Sequence, residues 1–441
     1  MNRSTFNWLK WFWPGMRVKR WLLLTVFGIF GVVVGLALAS KDSVADYFQW
    51  LNDLGDAIVD WLHVDISQGT LYVPIGVTFI LIGLSLIFLS FFQVVRSIIG
   101  TLWPESGFKT GDIADKVYQR LTLNQGLRVV VVGGGTGLST MLRGLKQETS
   151  NISAIVTVSD NGGSSGVLTE STGILPPGDL RNCMVALADE EPTLARAFNY
   201  RFNGQHPEGL RGHSLGNLFI AAMAEINDGD YERAIADASK ILAIRGRVYP
   251  STLERVTLIG ELEDGECVEG EVQIIRTHKK LARMWLRPEN AQPRPAALEA
   301  IAAADAIILG PGSVYTSIIP NLLVDGIADA IHNSKAVKIY VCNVMTEVGE
   351  TDGFSASDHV AAITAHAPGR RLFDYVLVNK QRPAPERLEF YKNYGQSFVE
   401  PDVEQIRALG YTPILGNFIS QTQEVRHDAN RLADAIRRQL I

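Results

Sequence analysis

A chain of 441 residues with a formal charge of -6 is long enough for two or three domains and lacks the basic excess of a nucleic-acid-binding protein. Its cysteines, Cys183, Cys267 and Cys342, lie far apart with no CxxC or Cys/His cluster. That argues against a zinc site or a disulfide framework and fits a reducing compartment.

The chain opens with a membrane pattern. Trp21 to Ser40 is free of charge, and so is the longer stretch Leu71 to Val95. Each meets the roughly 20 residues needed to cross about 30 Å of hydrocarbon. Arg3, Lys10, Arg17, Lys19 and Arg20 precede the first stretch, and Arg96, Lys109, Lys116 and Arg120 follow the second. The segment between them carries Asp42, Asp46, Asp53, Asp56, Asp60 and Asp65. The positive-inside rule then puts both ends in the cytoplasm and the acidic loop outside the plasma membrane. Two other readings stay open: Ala37-Leu38-Ala39 resembles a signal-peptidase site, which would make the first stretch a cleaved signal peptide, and both stretches could be buried core helices. Tyr47, Leu51, Leu54, Ile58 and Leu62 are spaced for a short amphipathic helix on the outer leaflet. We assign residues 1–105 to a membrane anchor.

From about residue 106 to 441, strand-like runs alternate with helical patterns. The runs are Leu127–Val132, Ala154–Val158, Ala306–Leu309, Val337–Val341 and Tyr375–Val378. The alternation predicts a doubly wound parallel α/β sheet. An insertion at about 250–290 reads as an antiparallel hairpin, with Arg255–Leu262 and Val268–Ile275 joined by a turn at Glu263–Glu266.

The chemistry is marked by glycine turns. Val129 to Ser139 reads VVVVGGGTGLS: a buried strand runs into Gly133, Gly134, Gly135, Thr136 and Gly137, and a helical pattern begins at Leu138. Unpaired N–H groups at a helix start, approached without Cβ hindrance, make an anion site. The turn is not a Walker A loop, because Leu138 follows Gly137, and Leu138 also occupies the third glycine position of the dinucleotide fingerprint. A nicotinamide enzyme is therefore disfavoured. Asp160 closes the next strand roughly 20 residues on, where an acid commonly holds a ribose. A second strand–glycine–hydroxyl turn, Ala306 to Ser317, brings Gly312 with backbone N–H groups and Ser313, Thr316 and Ser317 as further phosphate donors, or Ser313 as an ordinary helix cap. Two such turns at carboxyl ends of strands point to one crevice.

Asp160 and Asp179 are paired carboxylates suited to a Mg²⁺ that bridges a diphosphate. Asp179 equally fits the N-cap of a helix starting at Leu180. Arg181, beside Asn182, is either a phosphate fork or a surface charge. Gly212-His213-Ser214-Leu215-Gly216 matches G-x-S-x-G, but Asn203–Arg211 is a polar loop rather than the strand a nucleophile elbow requires. Ser214 reads as a helix cap with Asn217 facing the crevice. His213 is a phosphate ligand, an acid/base, or a structural loop histidine.

Taken together, GGGTGLS, TVSDNGGSSG, PPGDLRN, FNYRF, GHSLGN, GPGSVYTSIIPNLL and NVMTEVGET resemble the gluconeogenesis factor (YvcK-like) family, related to the 2-phospho-L-lactate transferases (CofD-like). The resemblance covers Leu127 to Asn379, with the N-terminal hairpin as an added anchor. It implies a Rossmann-like fold, binding of a nucleotide sugar such as UDP-N-acetylglucosamine or UDP-glucose, and a role in cell shape and envelope metabolism. It implies nucleotide contacts at Gly134, Gly135, Thr136 and Gly137, metal and acceptor chemistry at Asp160 and Asp179, and an opposite wall of Gly312, Ser313 and Thr316, with His213 and Asn217 between. The alternative it carries is a Mg²⁺-dependent transferase with a nucleotide diphosphate donor. Asn161 stands where many members have a second aspartate, which weakens a two-carboxylate metal site within that loop. The stretch VLTESTG after Gly166 lacks the usual basic residue. A homodimer is left open.

Overall fold

Two long apolar helices come first, α1 over Lys19–Ala39 and α2 over Tyr72–Leu102. This computed structural model describes residues 19–39, 72–102, 122–189, 191–203, 207–421 and 424–440, with Asp53, Ala57 and Trp61. Stretches of 19 residues (Trp21–Ala39) and 24 residues (Pro74–Ser97) are long and apolar enough to cross a membrane. Glycines let the two backbones meet. A Cβ on Gly83 would lie 2.6 Å from the carbonyl oxygen of Gly28, and one on Gly35 would lie 2.5 Å from that of Gly76. Such close approach is what holds helices together in lipid, where apolar burial supplies no drive. Thr25 and Ser90 join their hydroxyls across the pair at 2.6 Å. The amphipathic helix expected around Tyr47–Leu62 lies outside the described residues except for Asp53, Ala57 and Trp61.

The chain divides into two units, Met1–Val117 and Tyr118–Ile441. The second is built on a seven-stranded parallel sheet: β1 (Val129–Gly133), β2 (Ile152–Val156), β3 (Arg247–Pro250), β7 (Ala306–Leu309), β8 (Val337–Val341), β9 (Tyr375–Asn379) and β10 (Thr412–Gly416). Its order is β10-β9-β8-β7-β1-β2-β3. The chain winds outward from β1 to β3, then returns to the other side of β1 and winds out again. The direction of winding reverses between β1 and β7. Val129 and Val131 feed one hydrophobic layer while Val130 and Val132 feed the other. A strand covered on both faces needs apolar residues at successive positions, which is why β1 reads as an unbroken valine run.

The outermost strands are short and each contains a proline, Pro250 in β3 and Pro413 in β10. Neither edge is among the sequence-predicted strands.

The insertion is a three-stranded sheet, with β4 (Thr257–Leu262) between β5 (Cys267–Glu269) and β6 (Leu281–Arg287). The expected hairpin is present, with Ile259 opposite Glu269. Its second arm is shorter than predicted. After Gly270 the chain turns into a helix over Glu271–Thr277, and the third strand was not foreseen.

Candidate functional site

The crevice forms where the winding reverses. In open α/β sheets, the loops leaving the carboxyl ends of the two strands at that point diverge and leave a cleft. β1 ends in Gly134–Gly137, β7 in Gly310–Ser313, β2 runs on to Asp160, and β8 runs on to Asn343–Glu350. The two glycine turns touch: a Cβ on Gly137 would lie 2.7 Å from the carbonyl oxygen of Pro311.

The helix after β1 spans Gly135–Leu145, so it starts three residues before the predicted Leu138. Gly135 has φ +66, a left-handed conformation that glycine adopts without steric cost, and its N–H meets the carboxylate of Asp179. Thr136 and Gly137 therefore belong to the first helical turn. Thr136 accepts through its carbonyl from Thr140 Oγ1 at 3.0 Å.

Asp179 is not an N-cap. Its helix spans Pro177–Leu187 with Pro176 at the cap, so Asp179 stands in the first turn. Its carboxylate accepts from the N–H of Gly135. A Cβ on Gly134 would strike its Oδ2, and one on Gly178 would lie 3.2 Å from Oδ2 of Asp160. The two aspartates are thus neighbours. Burial, and then the charge of Asp160, push the Asp179 carboxyl up to about 7. Asp160 accepts from the N–H of Gly162 at 2.8 Å through Oδ1. Neither aspartate forms an ion pair among the described residues, and both are hard oxygen donors, so the pair fits Mg²⁺. Asn161 turns the other way: its Oδ1 accepts from the N–H of Val272 at 3.1 Å and ties the crevice loop to the insertion.

Arg181 is 8 % exposed. Its Nη1 donates to Ser214 Oγ at 2.6 Å and to Asn217 Oδ1 at 2.9 Å, and its Nη2 donates to Asn182 Oδ1 at 2.7 Å. It is therefore not a surface charge. Burial, and then Arg201, lower its pKa. Arg201 is a positive charge near this site that sequence reasoning did not single out, although it lies inside the FNYRF stretch. Ser214 caps the helix Leu215–Ile226 by accepting from the N–H of Asn217 at 3.2 Å, as expected. Asn217, 2 % exposed, donates to Ser164 Oγ at 3.0 Å, and His213 Nδ1 lies 3.0 Å from the same oxygen. Asn217 and His213 thus support Arg181 and Ser164 from behind rather than line an open surface.

The second turn holds carboxylates of the chain itself. Ser313 Oγ donates to Glu347 Oε2, and Thr316 Oγ1 donates to Glu350 Oε1 at 3.0 Å. The N–H groups of Tyr315 and Thr316 also face Glu350. Ser313 gives no side-chain cap to the π-helical turn that follows it. Asn343 fixes Gly312 from both sides: its Oδ1 accepts from the Gly312 N–H at 3.2 Å, and its Nδ2 donates to the Gly312 carbonyl at 2.9 Å. The hydroxyls expected to meet a phosphate are engaged by Glu347 and Glu350 instead. Sequence reasoning quoted the motif that contains these glutamates without giving them a role. The usable signal was a Glu-x-x-Glu spacing in the loop after a central strand.

Residues 129–419 match the family described as 2-phospho-L-lactate transferase CofD. A gluconeogenesis factor from Halalkalibacterium halodurans is 47% identical over 70% of this chain and 95% of its own length. One from Listeria innocua is 44% identical over 70% of this chain and 94% of its own length. The chain belongs to the gluconeogenesis factor family. A further family member, from Nostoc, is 46% identical over 98% of this chain and 92% of its own length, so that match takes in the N-terminal hairpin as well. The crystal structure of a UPF0052-family protein from Bacillus halodurans shares 47% identity and superposes with a TM-score of 0.67, covering 70% of this chain and 99% of that one. Gluconeogenesis factors therefore match this chain over two extents, one nearly full-length and one of a size that the α/β unit alone supplies.

Proposed function

We propose that this gluconeogenesis factor is a membrane-tethered nucleotide-sugar-binding regulator of cell shape and envelope metabolism. The observation that carries the reading is the pairing of glycine turns at the ends of β1 and β7, where the sheet's winding reverses. The start of the Gly135–Leu145 helix offers backbone N–H groups and a positive dipole end to a phosphate. Arg181, buried without a carboxylate partner, supplies a fixed cation beside it, and UDP-N-acetylglucosamine or UDP-glucose is the ligand class. No nucleophile is poised for chemistry by Ser164 and His213: both are 7 % exposed, and Ser164 shares its hydroxyl with Asn217.

A Mg²⁺-dependent transfer from a nucleotide diphosphate donor is the second reading. It is favoured by Asp160 beside Asp179 and by the family match. Mg²⁺ bound there would neutralise a diphosphate leaving group. The residues' own contribution is to hold the diphosphate against the Gly135 turn.

Equilibrium binding of UDP-sugars with and without Mg²⁺ separates the two. Tight, metal-independent binding without turnover supports the regulator, and metal-dependent consumption of a nucleotide diphosphate overturns it. Replacing Gly135 with valine forces a β-branched residue into φ +66. The expected outcome is loss of UDP-sugar binding with an unchanged far-UV circular dichroism spectrum. Wild-type affinity in that variant would place the phosphate elsewhere.

A further inference from the structure

The crevice contains far more negative than positive charge. Asp160 and Asp179 stand on one side. Glu347 and Glu350 stand on the wall behind β7 and β8. Glu271, at the start of the Glu271–Thr277 helix, lies within electrostatic reach of all four. Among the described residues none of these carboxylates forms an ion pair. Arg181 is a cation that acts on both aspartates, and it is held by Ser214, Asn217 and Asn182 rather than by a carboxylate.

Glu350 carries the second observation. It is 7 % exposed. Its Oε1 is met by Thr316, but its Oε2 is buried with no hydrogen-bond partner. An oxygen of a carboxylate left bare in the interior is costly unless a cation or a proton sits against it. Glu347, three residues earlier, is held at Oε2 by Ser313 and at Oε1 by Asn343 Nδ2 at 3.4 Å. Both glutamates are therefore held by hydroxyls of the turn after β7, close enough to repel each other, and Glu350 Oε2 is the oxygen left without a partner.

We propose that Glu347 and Glu350 form a divalent-cation site on the β7–β8 wall of the crevice, separate from the Asp160–Asp179 pair. The ion is a hard one of the Mg²⁺ or Mn²⁺ class. No three His, Cys, Asp or Glu side chains among the described residues are gathered into a ready cage. An ion held here takes its remaining ligands from water or from an anion, which is how Mg²⁺ binds when one or two carboxylates serve it. The ion offsets the desolvation that burial imposes on Glu350 and the repulsion between Glu350 and Glu347. It also explains why the hydroxyls and N–H groups of a phosphate-type turn are directed at carboxylates: they orient the ligands of a metal.

The site needs no nucleotide, so it is tested without one. The full chain, reconstituted in nanodiscs and stripped with a chelator, is titrated with Mn²⁺ and followed by electron paramagnetic resonance at pH 7.5. The expected result is saturable binding that weakens at least tenfold in Glu350→Gln and in Glu347→Gln, and stays within threefold of wild type in Asp179→Asn. Absence of Mn²⁺ binding overturns the proposal, and so does loss in Asp179→Asn with retention in Glu350→Gln. Infrared spectra of the wild-type protein guard against variants that fail to fold. A shift of carboxylate bands on adding Mn²⁺ supports the site, and spectra unchanged by saturating Mn²⁺ overturn it.

Discussion

At Asp179 four local influences compete: burial and Asp160 raise its pKa, while the Gly135 N–H and Arg181 lower it, and the sum is about 7. His427 is a simpler case of the same physics. Burial pushes its imidazole down to about 4 from an ordinary 6.5, and its Nε2 has no partner. The unfolded chain therefore takes up a proton at this residue below about pH 6.5, and the folded chain does not until about pH 4. The His427 contribution to stability is complete above about 6.5 and is lost as pH falls toward 4. Asp179 works in the opposite sense, since its folded pKa is raised. Comparing variant with parent isolates the histidine: His427→Asn should flatten the decline in melting temperature between pH 7 and pH 4.5. Parallel curves for the two proteins would assign the acid limb to other groups.

Among the elements, legibility in the sequence followed burial. The five central strands were legible because each is a short apolar run covered on both faces. The edge strands β3 and β10 were not, because Arg247, Pro250, Thr412 and Pro413 break the apolar run where only one neighbour must be satisfied. The arm Val268–Ile275 was read as one extended run, since apolar residues in a short segment suit either state. Gly270, with φ +90, divides it into strand and helix. At the site, the glycine turns and aspartates were readable from local pattern. Glu347 and Glu350 were marked only by their Glu-x-x-Glu spacing, and their partners Ser313 and Thr316 lie 34 residues away in sequence, a pairing that the spacing does not encode. The α1–α2 pair yields a prediction of its own. A side chain at Gly83 would strike the Gly28 backbone, so Gly83→Leu should part the helices. In a Thr25→Cys, Ser90→Cys background, oxidative cross-linking should then drop severalfold. Undiminished cross-linking would mean that the pair is held by something other than glycine contact.

The whole molecule joins an apolar hairpin unit to an α/β unit of the gluconeogenesis factor family. The charge bias around the two apolar stretches places the α/β unit in the cytoplasm as a proposal. Reporter fusions made after Val95 should be active only in the cytoplasmic format, and activity only in the periplasmic format would reverse the orientation. The two prolines at the sheet's margins have a bearing on self-association. In a parallel strand, alternate N–H groups point to opposite sides. Thr412 donates inward to Asp374, and Ser251 donates inward to Val156, so the ring nitrogens of Pro413 and Pro250 face outward. Each margin thus lacks a donor where an added strand would need one. Two copies of this chain cannot merge their sheets into a continuous one with a full hydrogen-bond ladder.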